Sequence, residues 1–280
     1  MRGGLIKAFI IIFLCVAIFG TAGVVSYRLF VIPKNKARKE KAGPPPTPPP
    51  DPSLGEFEKC MAVKNGGNLV EARAALQDFI DHYPDSTKMD AAKDALGEIN
   101  MTFLFSTEPS PDKTQYVIQK GDTIGAIERK TKIPGELIMR LNKIDDPTKL
   151  RIGQVLNVSR PDFALKINRK TKVVVLINKG KFFKQYKVDS WNAPSPKNNA
   201  PVTAKIGEKV AWKKGQRVIF GSKDYAGSGR WIGLSASGYT LYTEDPEGGT
   251  PKPPGGLGMA AADMEELSSL LNRGAPATIE

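Results

Sequence analysis

The sequence predicts a multidomain α+β chain: a transmembrane helix, an α-helical hairpin, a compact βααβ module and a mostly β C-terminal domain. Three observations predict it. Along the 280 residues the hydrophobic pattern changes period, from one uninterrupted apolar run, through helical spacing, to strand-like alternation. The 22 prolines and 27 glycines are numerous enough for real linkers between these stretches. Charge is also segregated: the net +12 is made of +7 over residues 1–42, −7 over 43–112, +17 over 113–223 and −5 over 224–280. With 40% hydrophobic residues the chain can build cores, and its length suits two or three small domains better than one.

The first element is the run from Ala8 to Tyr27, "AFIIIFLCVAIFGTAGVVSY", 20 residues without a charge between Lys7 and Arg28. At about 1.5 Å per residue it matches a hydrocarbon core of about 30 Å. Residues 1–33 are therefore expected to form a membrane anchor, because the apolar character continues through "LFVI" to Ile32. A cleaved signal peptide is the alternative, with "GTAG" as its small-residue region. Residues 34–53 form a basic and proline-rich linker. Its "AGPPPTPPPDP", residues 42–52, is an extended polyproline spacer at about 3.1 Å per residue.

Residues 54–106 follow as a helical segment. Leu69, Ala72, Leu76, Phe79 and Ile80 recur at helical spacing and Pro84 of "YPDS" breaks the helix. Asp85 or Ser86 is expected to cap the next helix, with Ala91, Ala92, Ala95, Leu96 and Ile99 facing inward. The stretch from Glu71 to Leu96 resembles one tetratricopeptide-type hairpin. A single such unit cannot bury both faces, so it should dock on a neighbour or dimerise, and it could also meet a protein partner.

Residues 113–160 carry the most specific pattern. A short alternating strand with Tyr116 and Ile118 enters Gly121-Asp122-Thr123, where Asp122 or Thr123 caps a helix with Ile124 and Ile127 inside. Pro134 opens a second helix lined by Leu137, Ile138 and Leu141, Asn142 ends it, and "LRIGQVLNV" supplies a turn and a closing strand. This pattern resembles the LysM domain over its whole length. The resemblance implies binding of N-acetylglucosamine in peptidoglycan or chitin, in a groove between two loops. Gly121, Asp122, Thr123 and Ile124 would form one wall and Ile144, Asp145, Asp146 and Pro147 the other.

From Phe163 the pattern turns to strands: "FALKIN", "TKVVVLIN", "KFFKQYKV", "APVTAKIGEKVAW", "QRVIFGS" and "RWIGLSASGYTLYT". The glycine-rich "PPGGLGM", residues 253–259, then reads as a turn entering the helix "AAADMEELSSLL", and "GAPATI" closes the chain as a strand. Residues 161–280 resemble the catalytic domain of L,D-transpeptidases (YkuD-like). In that family a cysteine attacks the peptide stem of peptidoglycan, with a histidine two residues before it and an arginine two residues after. A further histidine lies on an upstream strand. The matching positions here are Gly256, Pro254, Gly258 and Tyr242, so the resemblance is to a degenerate member lacking the catalytic cysteine and histidines.

No other nucleophile and base come with matching spacing. The two cysteines, Cys15 and Cys60, and the one histidine, His82, fall in other segments, so no disulfide, metal-ligand set or cofactor site is expected. Only Ser235 and Ser237 could be imagined as substitutes, and neither has a base at a recognisable spacing.

Taken together, the expected protein is a membrane-anchored, non-enzymatic peptidoglycan-binding protein of the bacterial envelope. It would be a single-pass protein with its C-terminal domains on the periplasmic or cell-wall side. The basic "KNKARKEK", residues 34–41, would by charge alone keep the following domains inside; the downstream resemblances outweigh that signal. The basic 113–223 stretch suits an anionic partner, cell-wall polymer or lipid rather than nucleic acid. Two alternatives stay open: an active transpeptidase or cell-wall hydrolase, and an envelope assembly or adaptor protein.

Overall fold

The computed structural model describes Val25, Arg28 and residues 51–195, 200–245 and 249–280. Apart from Val25 and Arg28, the expected membrane anchor lies outside the described residues, as do all but the last residues of the linker. Among the described residues no helix is long and apolar enough to cross a membrane. Pro52–Glu280 forms one compact unit.

Three helices open that unit: α1 (Pro52–Asn65), α2 (Leu69–His82) and α3 (Met89–Phe105). Asn68 caps α2 by accepting the Glu71 N–H. The expected cap of α3 is not formed, since Lys88 occupies that position without a side-chain bond. Ser86 instead accepts the Lys88 N–H and meets the Ser53 hydroxyl at 2.6 Å, tying the turn to α1. Ala72, Leu76, Phe79, Ala92, Ala95, Leu96 and Ile99 form the helical core, whereas Ala91 is exposed. The unburied face of the hairpin is covered from two sides. α1 closes one, and α3 lies on strand β5 (Lys181–Lys187), where Asn100 Nδ2 donates to the Phe183 carbonyl at 2.8 Å. Gly97 permits this approach: a Cβ there would sit 3.0 Å from Lys184 Cγ.

The βααβ module follows as β1 (Lys113–Val117), α4 (Ile124–Thr131), α5 (Gly135–Leu141) and β2 (Val155–Ser159), with β1 and β2 antiparallel. Asn142 ends α5 and fastens it to β2. Its Nδ2 donates to the Ile138 and Asn157 carbonyls, and its Oδ1 accepts the Asn157 N–H.

The C-terminal domain contains β3 (Phe163–Asn168), β4 (Val173–Asn178), β5 (Lys181–Lys187), β6 (Ser190–Trp191), β7 (Val202–Lys213), β8 (Gln216–Val218), β9 (Gly229–Leu234), β10 (Thr240–Thr243) and β11 (Leu257–Met259). Helix α6 (Ala261–Leu270) and β12 (Pro276–Ile279) complete it. The strand order is β5-β4-β3-β12-β7-β9-β10-β11-β6, with β8 on β7. The last strand lies mid-sheet, parallel to β3 and antiparallel to β7.

The module and this domain share one hydrophobic core. Ile127, Leu137, Ile138 and Leu156 of the first belong to the same cluster as Leu165, Ile232, Met264 and Leu267 of the second. Polar groups reinforce the join: Arg140 Nη1 donates to Ser269 Oγ at 2.6 Å and Asn272 Nδ2 to the Lys132 carbonyl at 2.9 Å. The expected boundary at residue 160 is thus a change of pattern and not a break in packing.

Candidate functional site

The first wall of the expected groove is built around one carboxylate. Gly121 adopts φ +86°, a conformation that favours glycine, and swings the chain back toward β1. Asp122 then accepts hydrogen bonds from Tyr116 Oη (2.8 Å), the Gln119 N–H (2.9 Å) and Lys130 Nζ (2.7 Å). Its side chain is 2% exposed. The Lys130 ammonium first, then the Gln119 and Tyr116 donors, holds its carboxyl well below the usual range, at about 2. Asp122 therefore shapes the loop and has little surface for a ligand. Capping falls to Thr123, which accepts the Ala126 N–H. Ile124 is buried.

The second wall is the loop after α5. Asp146 accepts from the Thr148 N–H and hydroxyl, and these bonds hold its carboxyl below the usual range. Ile144, Asp145 and Pro147 face a cavity of about 650 Å³. That volume lies within the range of small-ligand sites, about 300–1,000 Å³. Gly121–Ile124 do not line this cavity, so the two walls are not brought together around it.

What meets the second wall instead is the loop between β8 and β9. Phe220, Gly221 and Tyr225 line the cavity opposite Ile144 and Pro147. Gly221, at φ +84°, passes so near Pro147 that a Cβ on it would lie 2.9 Å from Pro147 Cγ. Phe220 packs where α5 begins: a Cβ on Gly135 would be 3.1 Å from the Phe220 ring and 2.8 Å from Ile124 Cγ2. Arg230 holds this loop from below. It donates to the Ser228 and Tyr225 carbonyls, and its guanidinium lies 4.0 Å from the Tyr225 ring centre. Sequence reasoning missed this loop. Its one signal was the run "GSKDYAGSG", residues 221–229, longer and more polar than a hairpin turn requires.

Glu136 and Arg230, both on the cavity lining, form a charged trio with Lys209. Glu136 Oε1 lies 3.9 Å from Arg230 Nε, and Lys209 Nζ donates to the Ser268 and Leu271 carbonyls. Burial pushes the Glu136 carboxyl up and the Lys209 ammonium down, and each charge opposes the shift of the other.

Of the positions matched to transpeptidase catalysis, two lie on adjacent strands, and Pro254 and Gly256 lie in the turn before β11. Tyr242 on β10 pairs with Gly258 on β11. Contrary to the expectation of a turn entering a helix, β11 separates the glycine-rich turn from α6. Gly256 exchanges backbone hydrogen bonds with Asn192, and a Cβ on it would overlap the Thr240 carbonyl oxygen. A side chain at Gly258 would overlap Glu244 Oε2 and Ser190 Oγ and lie 3.0 Å from the Tyr242 ring. Pro254 offers its carbonyl to Asn192 Nδ2 at 3.5 Å.

These groups form a closed hydrogen-bond set. Tyr242 Oη donates to Glu244 Oε2 at 2.9 Å, Ser190 Oγ also donates to Glu244, and Lys252 Nζ donates to Glu244 Oε1 at 2.6 Å. Burial pushes the Tyr242 phenol up, so it stays protonated at neutral pH and is no base there. The Lys252 bond holds the Glu244 carboxyl down. Ser235 Oγ accepts the Lys205 N–H. Cys60 and His82 belong to the helical segment; Cys60 is a buried free thiol and His82 is exposed beside Asp78.

Residues 116–159 match the LysM domain family model. A chitin elicitor-binding protein of Oryza sativa subsp. japonica is 44% identical over 46 residues, 16% of this chain and 13% of that protein. The N-acetylmuramoyl-L-alanine amidase XlyA of Bacillus subtilis is 41% identical over 51 residues, 18% of this chain and 17% of its own length. The chain thus spans less than a fifth of either relative. Among solved structures, an L,D-transpeptidase (Yku) from Stackebrandtia nassauensis is similar at 13% identity and a TM-score of 0.30. That likeness covers 74% of this chain and 76% of the other.

Proposed function

We propose that this chain binds the N-acetylglucosamine-containing glycan of peptidoglycan and holds its C-terminal domain against the cell wall without making or breaking bonds there. The LysM module carries the reading: residues 116–159 match that family and form the βααβ unit. Ile144, Asp145 and Pro147, which line the cavity, are assigned to ligand contact. Asp122 and Asp146 are assigned to holding the loops in shape.

The absence of turnover is part of the same proposal. Covalent transfer needs a nucleophile and a base to activate it. Gly256 and Pro254 offer neither on their side chains, and the Tyr242 phenol is committed to Glu244. The chain would sit in the bacterial envelope, anchored by residues 1–33, with the module on the periplasmic or cell-wall side. A tether of this kind raises the local concentration of a weak binding module near its polymer.

Co-sedimentation of the full-length chain with purified sacculi tests the binding. Pelleting that depends on sacculi, and that falls when Ile144 and Pro147 are both replaced by aspartate, is the expected result. Equal pelleting with and without sacculi would sink the reading.

A further inference from the structure

The cavity against the second wall is lined from both sides, because the C-terminal domain builds its other half. Three aromatic rings line it: Phe105 from α3, and Phe220 and Tyr225 from the β8–β9 loop. Flat apolar faces of this kind suit the faces of pyranose rings. The two loop rings hold each other edge to face at 5.1 Å, so they are positioned before any ligand arrives.

The charge is asymmetric. Of the carboxylates lining the cavity, Glu136 and Glu265 each lie within 4.0 Å of Arg230. Asp145 remains, against Arg140, Lys143 and Lys223. Among the described residues neither Lys143 nor Lys223 forms an ion pair. Arg230 also lines the cavity, 3% exposed, and adds its positive charge beneath it.

We propose that the β8–β9 loop completes the module's site and makes it selective for an N-acetylated glycan bearing carboxylates over a neutral one. Phe220 and Tyr225 supply stacking faces, and Lys143 and Lys223 meet the carboxylates from opposite walls. This rests on the glycan-binding reading above and deepens it: the module then binds as one half of a composite site, and the C-terminal domain takes part in recognition.

The test is calorimetric titration of the full-length chain with two probes. One is a neutral N-acetylglucosamine tetrasaccharide. The other is a tetrasaccharide with peptide stems, released from peptidoglycan by a muramidase. The stem-bearing probe should bind more tightly, and Lys143→Met with Lys223→Met should reduce its affinity about threefold to tenfold, the range expected of two exposed charge pairs. The neutral probe should bind that double variant as it binds the wild type. Phe220→Ala, and the milder Phe220→Leu in case the first fails to fold, should weaken both probes. Equal affinity of the wild type for both probes, or a double variant that keeps the preference, would overturn the inference and leave the glycan reading standing. Tighter binding by a folded Phe220 variant would mean that the loop covers the groove instead of completing it, which also overturns the inference. No binding of either probe by the wild type would overturn both.

Discussion

A side chain on Gly256 would run into the carbonyl oxygen of Thr240. The conflict is with backbone, and backbone on a paired strand cannot step aside cheaply. At Gly258 the nearest atoms are the ends of Glu244 and Ser190, which rotate more readily, although the Tyr242 ring also stands close. Gly256→Ala should therefore destabilise the protein by about 1–3 kcal/mol, as overpacking does, and Gly258→Ala by less. Urea unfolding of the two variants checks the order. The same geometry predicts that Gly256→Cys, alone or with Pro254→His, yields no transpeptidase, because the thiol cannot be seated without moving β10.

The shared core predicts one unfolding event for the module and the C-terminal domain. Leu137 is fully buried among residues of both, and Leu137→Ala should cost about 2–5 kcal/mol. Calorimetry should show the two domains melting together in both proteins, at a lower temperature in the variant. Two separate transitions, with only one moved by the substitution, would contradict the continuous core.

Asp122 predicts a pH dependence of definite sign. Its carboxyl titrates at about 2 in the folded chain, below the ordinary 3.8. A depressed folded value contributes stability that is fully present above the unfolded value and lost as pH falls through the folded one. The gap in urea midpoint between wild type and Asp122→Asn should thus be constant from pH 7 to about 5. It should narrow between about 4 and 2. A gap that widens on acidification would show that the Lys130 and Tyr116 contacts do not hold this carboxylate.

Salt should weaken sacculus binding without abolishing it. Residues 113–223 carry +17, and exposed charges are screened within about 8 Å at physiological ionic strength. Sedimentation across a salt series reads this directly; insensitivity to salt would place the basic surface away from the polymer.

The module was the most legible part of the sequence because its signals are local. Thr123 caps the helix that follows it, Pro134 precedes α5, and Asn142 ends it, each through contacts that spacing discloses. The strands were legible by alternation. Their order was not: β12 enters the middle of the sheet through pairings more than 70 residues away in sequence. A pattern of period two says which residues face a core and nothing about which strand lies alongside. Contact between Phe220 and the start of α5 was equally hidden, since it depends on how two domains pack. The three-residue strand β11 has no signal in sequence, because "LGM" is too short to show alternation. The Asp122 side chain accepts from Tyr116, Gln119 and Lys130, which the sequence does not disclose; a carboxylate in a loop looks the same in sequence whether it faces solvent or its own backbone.

Mass spectrometry of muropeptides tests the central claim most directly. Purified peptidoglycan is incubated with the full-length chain under conditions in which the protein pellets with it, then digested and analysed. Binding without turnover predicts the same masses in the same proportions as a protein-free control. New cross-links, or amino acids released from the stems, would contradict it and turn attention to Ser190, Ser235 and Ser237.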